Sequence, residues 1–241
     1  MRRAARSLSV LLLATTLAVG FGSARAADAD ADSRYLAPDF TQLPHDARIV
    51  IMPIDVELSS ISAGGVHEPK ADWTAAAREH MKSTLDERVS SLGLNAQIMD
   101  DGAADEFDEL VGLHAAVARS IALHHGLGGV WALPTKQGRL DWSFDDSMKP
   151  LAQKTGARYA LFVWVRDSYA SAERKVAMVG MALLGVAVQG GVQAGYASLV
   201  DLDSGRVVWF NRLARGRGDL RDGPSAAESI DALLRGFPVV Q

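Results

Sequence analysis

Arg158 to Tyr169, RYALFVWVRDSY, constrains the fold more than any other stretch of the chain. It is rich in β-branched and aromatic residues, and they alternate in the manner of a strand. Tyr159, Leu161, Val163 and Val165 point one way; Ala160, Phe162 and Trp164 point the other. Both sides are apolar. A strand of that kind belongs in the middle of a sheet that is covered on both faces. The rest of the chain must therefore supply flanking strands and two layers of cover.

The neighbouring patterns supply them. Ala47 to Leu58 (ARIVIMPIDVEL) reads as a buried strand, with Pro53 requiring an edge or a bulge. A loop, SSISAGGVHEPKA, follows. Asp72 is placed to cap a helix whose stripe is Trp73, Ala77, Met81, Leu85, Val89 and Leu92, and Gly93 ends it. Leu94 to Met99 alternates as a second strand. A second helix runs from about Asp105 to His125 with Phe107, Leu110, Val111, Val117, Ala118 and Ile121 inward; Gly126 to Gly129 stop it. VWALP reads as a short strand, and Asp145 to Thr155 as a short helix. After the central strand come GYASLVDL and RVVWFNRL, joined by the turn Asp203-Ser204-Gly205. Ser225 and Glu228 have capping-box spacing ahead of a last helix with Ile230, Leu233, Leu234 and Phe237 inward. The expected fold is α/β (α+β): one mixed sheet covered by helices, closing with a hairpin and a helix.

The first 26 residues form a secretory signal: basic MRRAARS, an apolar core, and Ala24-Arg25-Ala26 before the cleavage point. Residues 27–46 open with ADADAD and read as a flexible segment; residues 47–241 read as a single domain. The chain has no cysteine, which excludes disulfides, thiol nucleophiles, thiolate zinc and lipid attachment through cysteine. Past residue 26 the net charge is −8, from 21 basic and 29 acidic side chains. That balance argues weakly against nucleic acid or an anionic membrane surface as the main partner.

No sequence signature of a nucleotide-binding loop, a serine hydrolase or a zinc protease occurs. His114 and His125 fall on one side of the second helix about 16 Å apart, too far to share a metal. The carboxylate run Asp100 to Glu109 lacks a calcium-loop pattern and suits a helix N-terminus. No cofactor or metal site is expected. Asn211 to Gly223 carries Arg212, Arg215, Arg217 and Arg221, a candidate loop for an anionic ligand. Lys136, Asp141, Arg166 and Asp167 are the polar residues a catalytic cleft would use.

The strand ARYALFVWV after LAQKTG, the hairpin ASLVDLDSGRVVWFN and the short terminal helix together resemble a superfamily of bacterial envelope domains. It includes the N-terminal domain of the Tol propeller protein, the activator lipoproteins of penicillin-binding proteins and the curli-secretion lipoprotein. Leu199, Val200, Asp201, Gly205, Val207 and Trp209 carry the shared pattern. The resemblance implies a non-enzymatic, exported envelope module, periplasmic or peripheral to the outer membrane, and brings over no catalytic residue.

One stretch fits none of these elements. Between Lys175 and Asp201 there is no charged residue, and glycines recur at 180, 185, 190, 191 and 195. A membrane-spanning helix here would part the hairpin from the strand it should pair with. Residues 175–195 therefore read as an insertion, with a helix from about Lys175 to Val188 ended by Gly190-Gly191. It is either a core crossover or a docking element whose contact residues are Met178, Met181, Leu183, Leu184, Val186 and Val188. The docking reading takes an envelope protein or membrane as partner, with homo-oligomers also allowed. Its rivals are a wall-acting enzyme and an oligomeric pore component.

Overall fold

A computed structural model describes residues 34–238; the expected signal and the whole ADADAD run lie outside them. The strands are β1 (Arg48–Ile51), β2 (Asp55–Ile61), β3 (His67–Pro69), β4 (Asn95–Ile98), β5 (Tyr159–Ala170), β6 (Gln193–Asp201) and β7 (Val207–Arg215). The main helices are α1 (Ala71–Ser91), α2 (Asp108–Ile121), α3 (Lys149–Thr155), α4 (Ala172–Leu183) and α5 (Gly223–Leu233).

All seven strands form one mixed sheet, the α/β architecture expected from the sequence. β5 is central. Along one side it pairs in parallel with β1 and then with β2; along the other it pairs antiparallel with β6, which pairs with β7. β4 lies outside β1 and β3 outside β2. The two faces of β5 divide as its alternation predicts. Tyr159, Leu161, Val163 and Val165 enter a core shared with α1 and α5. Ala160 and Phe162 enter a second core beneath α2 and α3.

β1 and β2 are one strand broken by a bulge at Met52-Pro53-Ile54. Ile51 faces Leu161 and Asp55 faces Trp164, so four residues on one strand span three on the other. The extra residue changes the parity. Ile49 and Ile51 before it and Ile54, Val56 and Leu58 after it all reach the same core. Pro53 sits where no ladder donor is required.

Several boundaries differ from the sequence reading. β3 pairs with the end of β2 inside what reads as a loop; its His-Glu-Pro side chains are all exposed, so no apolar pattern marks it. α1 starts at Ala71, ahead of Asp72, with Lys70 as a cap residue whose side chain makes no capping bond to the helix. Residues 129–131 form a single 3₁₀ turn rather than a strand. The last helix is capped by Asp222, whose side chain accepts from Ser225 N at 3.1 Å, with Pro224 in the first turn; Ser225 is thus inside the helix.

From Arg34 onward the expected flexible segment is packed. Leu36 bridges Trp209, Ala37 N donates to Val208 O, Phe210 N donates to Tyr35 O, and Leu43 is fully buried. Burying that leucine requires the backbone around it to be ordered.

Candidate functional site

The apolar insertion is a protrusion on the end of the sheet. β5 finishes at Ala170, and Ser171 caps α4 by accepting from Arg174 N at 3.2 Å. Arg174 then ties the root together. Its guanidinium donates to Ser62 O on the β2–β3 turn and to Gln189 O on the returning chain, at 3.3 and 3.0 Å. α4 ends at Leu183, five residues earlier than its composition suggests, because Gly185 takes a φ of +77° that favours glycine. The return strand closes against β5 at Gly191, where an added Cβ would lie 2.0 Å from Ser168 O.

No residue of α4 is buried. Val176 is 74% exposed, Leu183 85% and Leu184 77%; Met181 and Val186 are exposed too, while Met178 and Val188 are half-buried. Exposure runs around the helix except along the line of Arg174 and Met178, which faces Gln189 and Gly190 of the returning chain. This excludes the core-crossover reading within a single chain: the segment lies on the sheet's end and covers no part of either core. Among the described residues no helix is long and apolar enough to cross a membrane.

A buried polar network underlies the root. The Asp167 carboxylate accepts from Tyr169 Oη at 2.5 Å, Gln193 Nε2 at 2.8 Å and Ser168 N at 2.8 Å. Gln193 Oε1 accepts from Arg215 Nε at 2.7 Å and from Ser229 Oγ at 3.1 Å. Tyr169 Oη in turn accepts from Leu220 N at 2.8 Å. Burial raises the Asp167 pKa above the ordinary carboxylate value, against these hydrogen bonds. The network fastens β5, β6, β7 and the 216–221 loop into one platform. A cavity of about 350 Å³ lies between that platform and Lys175, Met178 and Gly190.

Of the four arginines of the candidate anion loop, Arg212, Arg215 and Arg217 line one groove of about 530 Å³, and Arg221 stands apart from it. Arg212 lies across from Tyr196, on the α2 face, with its side chain against Gly126. Arg215 is on the α5 face, where Ser229 also accepts from it. Arg221 pairs bidentately with Asp219 and lies over the rings of Trp73 and Tyr169. Arg217 is exposed between the two groups. β-alternation separates Arg212 from Arg215, and a carboxylate already engages Arg221. The residues weighed for a catalytic cleft also stay apart. Lys136 is near Asp141 at 3.9 Å, Arg166 pairs with Asp55 at 2.7 Å, and Asp167 faces the opposite side of β5 from Arg166.

Two features escaped the sequence reading. The first is a cleft of about 300 Å³ opened by the Pro53 bulge, walled by Phe162, Trp164 and Tyr196 and rimmed by Asp101, Asp105 and Asp108. Pro53 inside a strand was the signal for it. Such a rim attracts cations, yet among the described residues no group of three metal-binding side chains is placed to hold one. The second is His114, which is buried and not at the helix flank. It stacks on Phe162 at 3.7 Å, and its Nε2 lies 2.6 Å from Ser198 Oγ. Burial lowers its pKa to about 3. The spacing of Leu110, His114, Ala118 and Ile121 already placed it in the apolar stripe.

These features define a three-layered α/β domain with an apolar protrusion and no assembled catalytic group among the described residues. No protein-family model matches the chain, and no curated protein matches it. Among solved structures it is similar to the PelC dodecamer from Paraburkholderia phytofirmans, at 16% identity over 84% of this chain and 94% of that one, TM-score 0.40. It is similar to lipoprotein GNA1162 from Neisseria meningitidis at 13% identity, over 70% and 79% of the two chains, TM-score 0.30. It is similar to the LpoB C-terminal domain from Escherichia coli at 10% identity, over 78% and 94%, TM-score 0.30. At these scores nothing about ligand, partner or assembly is taken from them.

Proposed function

We propose that this chain is an exported, non-enzymatic module of the bacterial cell envelope that attaches to a membrane surface through the tip of its insertion. The observation that carries the reading is the exposure of every apolar residue of α4 and of the turn after it other than Met178. A protein partner with a single groove covers one side of a helix. A lipid interface surrounds the whole tip. Burying Val179, Leu183, Leu184 and Val186 contributes roughly 1.5–3 kcal/mol each before the costs of association. The tip carries no charge, whereas Arg174 and Lys175 stand at its root and Arg217 lines the adjoining cavity. Cations at that level suit a lipid headgroup zone, although the chain as a whole is acidic. At 12 residues α4 is about 18 Å long, enough to sit in one leaflet and too short to span.

The test is flotation of the purified protein with vesicles of phosphatidylethanolamine and phosphatidylglycerol, wild type against Met181→Lys/Leu184→Glu. The wild type is expected to float and the variant to stay behind while keeping its circular dichroism and melting temperature. Equal flotation of the two proteins sinks the membrane reading. A wild type that ignores vesicles yet forms a dimer or larger oligomer through the tip replaces the membrane with a second copy.

A further inference from the structure

Five charged side chains line the cavity of about 350 Å³ at the root of the insertion: Asp167, Lys175, Arg217, Asp219 and Arg221. Both carboxylates are already engaged. Asp167 accepts from Tyr169 Oη, Gln193 Nε2 and Ser168 N, and Asp219 is paired with Arg221. The other two cations are not engaged. Lys175 and Arg217 are exposed, and neither forms an ion pair among the described residues. Lys175 comes from the first turn of α4 and Arg217 from the loop after β7. Among the described residues the cavity is thus left with positive charge that nothing neutralises. Gly190, Gly191, Gly216 and Gly218 also line it, so part of its wall is backbone without side chains, which admits close approach of a ligand.

The height of the cavity on the protrusion bears on what that ligand is. Lys175 stands ahead of Leu184 by about 13 Å, at a helical rise of ~1.5 Å per residue. With α4 upright on a membrane and its tip about 5–10 Å below the headgroup boundary, Lys175 lies about 3–8 Å above that boundary, within the headgroup layer. Phosphate is the negatively charged group at that level. A guanidinium binds it through two parallel N–H bonds and an ammonium binds it as a point charge.

We propose that this cavity seats the phosphate ester of a glycerophospholipid headgroup between Lys175 and Arg217, and that the protein thereby selects anionic lipid. The lipid as the source of that phosphate rests on attachment through the α4 tip; the anion site does not. A headgroup that carries an ammonium brings a third like charge to two cations, so phosphatidylglycerol is favoured over phosphatidylethanolamine.

Two measurements on the full-length protein separate the site from the membrane. Three proteins matched by circular dichroism are compared: wild type, Lys175→Gln/Arg217→Gln, and Lys82→Gln/Arg139→Gln, which removes the same charge from exposed positions that do not line the cavity. The first measurement is calorimetric titration with glycerophosphoglycerol, the deacylated headgroup, at millimolar concentration. Wild type and the charge control are expected to bind it alike, and the cavity variant to lose about tenfold or more in affinity. The second is flotation with phosphatidylethanolamine vesicles, with and without phosphatidylglycerol. Phosphatidylglycerol should strengthen the attachment of wild type and control and leave that of the cavity variant unchanged. Flotation of all three that ignores phosphatidylglycerol, with no binding of the free headgroup, overturns the site and leaves attachment through the tip standing. Binding of the free headgroup with no flotation of any protein overturns the lipid as its source, and the membrane reading with it. Equal losses in the cavity variant and the charge control reduce the effect to net charge and overturn the proposal.

Discussion

Asp167 accepts the Tyr169 hydroxyl at 2.5 Å beneath the root of the insertion, and the same carboxylate is bonded to Gln193 from the neighbouring strand. Removing either partner leaves buried polar atoms unsatisfied, at roughly 1–3 kcal/mol each. Asp167→Ala is expected to cost more than Tyr169→Phe: it strands two donors, the Tyr169 hydroxyl and the Gln193 amide, whereas Tyr169→Phe strands only Leu220 N and leaves the carboxylate bonded to Gln193 and Ser168. Urea unfolding of the two variants checks the order.

The pH dependence of that carboxylate has a definite sign. Its folded pKa is raised, so the folded state binds a proton more readily than the unfolded chain. Its contribution is fully present below the ordinary aspartate value of about 4 and is lost as pH rises through the raised value. The melting temperature of Asp167→Asn relative to wild type should therefore increase from pH 4 upward, and a flat difference would contradict this.

His114 acts in the opposite direction. Its folded pKa of about 3 lies below the ordinary value of 6.5, so its contribution is present above pH 6.5 and is lost as pH falls towards 3. One proton of difference gives about 1.4 kcal/mol of lost stability per pH unit across that window. His114→Gln should remove most of this slope while lowering stability at neutral pH, measured by denaturant unfolding between pH 4 and 7.

The bulge makes a sharper demand. Inserting one alanine between Asp55 and Val56, inside the paired part of the strand, would turn Val56 and Leu58 out of their core; such a chain is expected not to fold. Pro53→Ala keeps the residue count and should cost less than ~1.5 kcal/mol. Soluble yield and circular dichroism separate the two.

Trp209 is fully buried and meets Phe237 edge-to-face at 5.1 Å. It faces Leu199 of β6, which separates it from the central strand. Trp209→Ala should cost about 3–5 kcal/mol. Trp209→Phe should cost distinctly less, since it also removes an indole N–H that has no partner.

The division of β5 into two apolar faces was legible because period-2 alternation depends only on local geometry. The same holds for Gly93 ending α1 and for the hairpin at Gly205, each with φ near +65°. Elements decided by tertiary contacts were less legible. β3 pairs through its backbone and carries no apolar signal. The bulge becomes visible only once the register with β5 is known. The protrusion could be read as apolar from its sequence, but its exposure depends on where β5 and β6 leave the sheet. Of the arginines between 212 and 221, Arg221 is drawn off by Asp219, which a count of charges does not reveal.

The membrane reading is tested most directly by depth. A polarity-sensitive fluorophore on Leu184→Cys, in a chain with no other cysteine, is compared with the same dye on Ser91→Cys at the exposed end of α1. With vesicles of phosphatidylethanolamine and phosphatidylglycerol, the position-184 dye should shift to the blue and be quenched by bromine in the upper acyl chains. The position-91 dye should do neither. Indifference of both dyes to the vesicles, with the protein folded, would contradict attachment through the α4 tip.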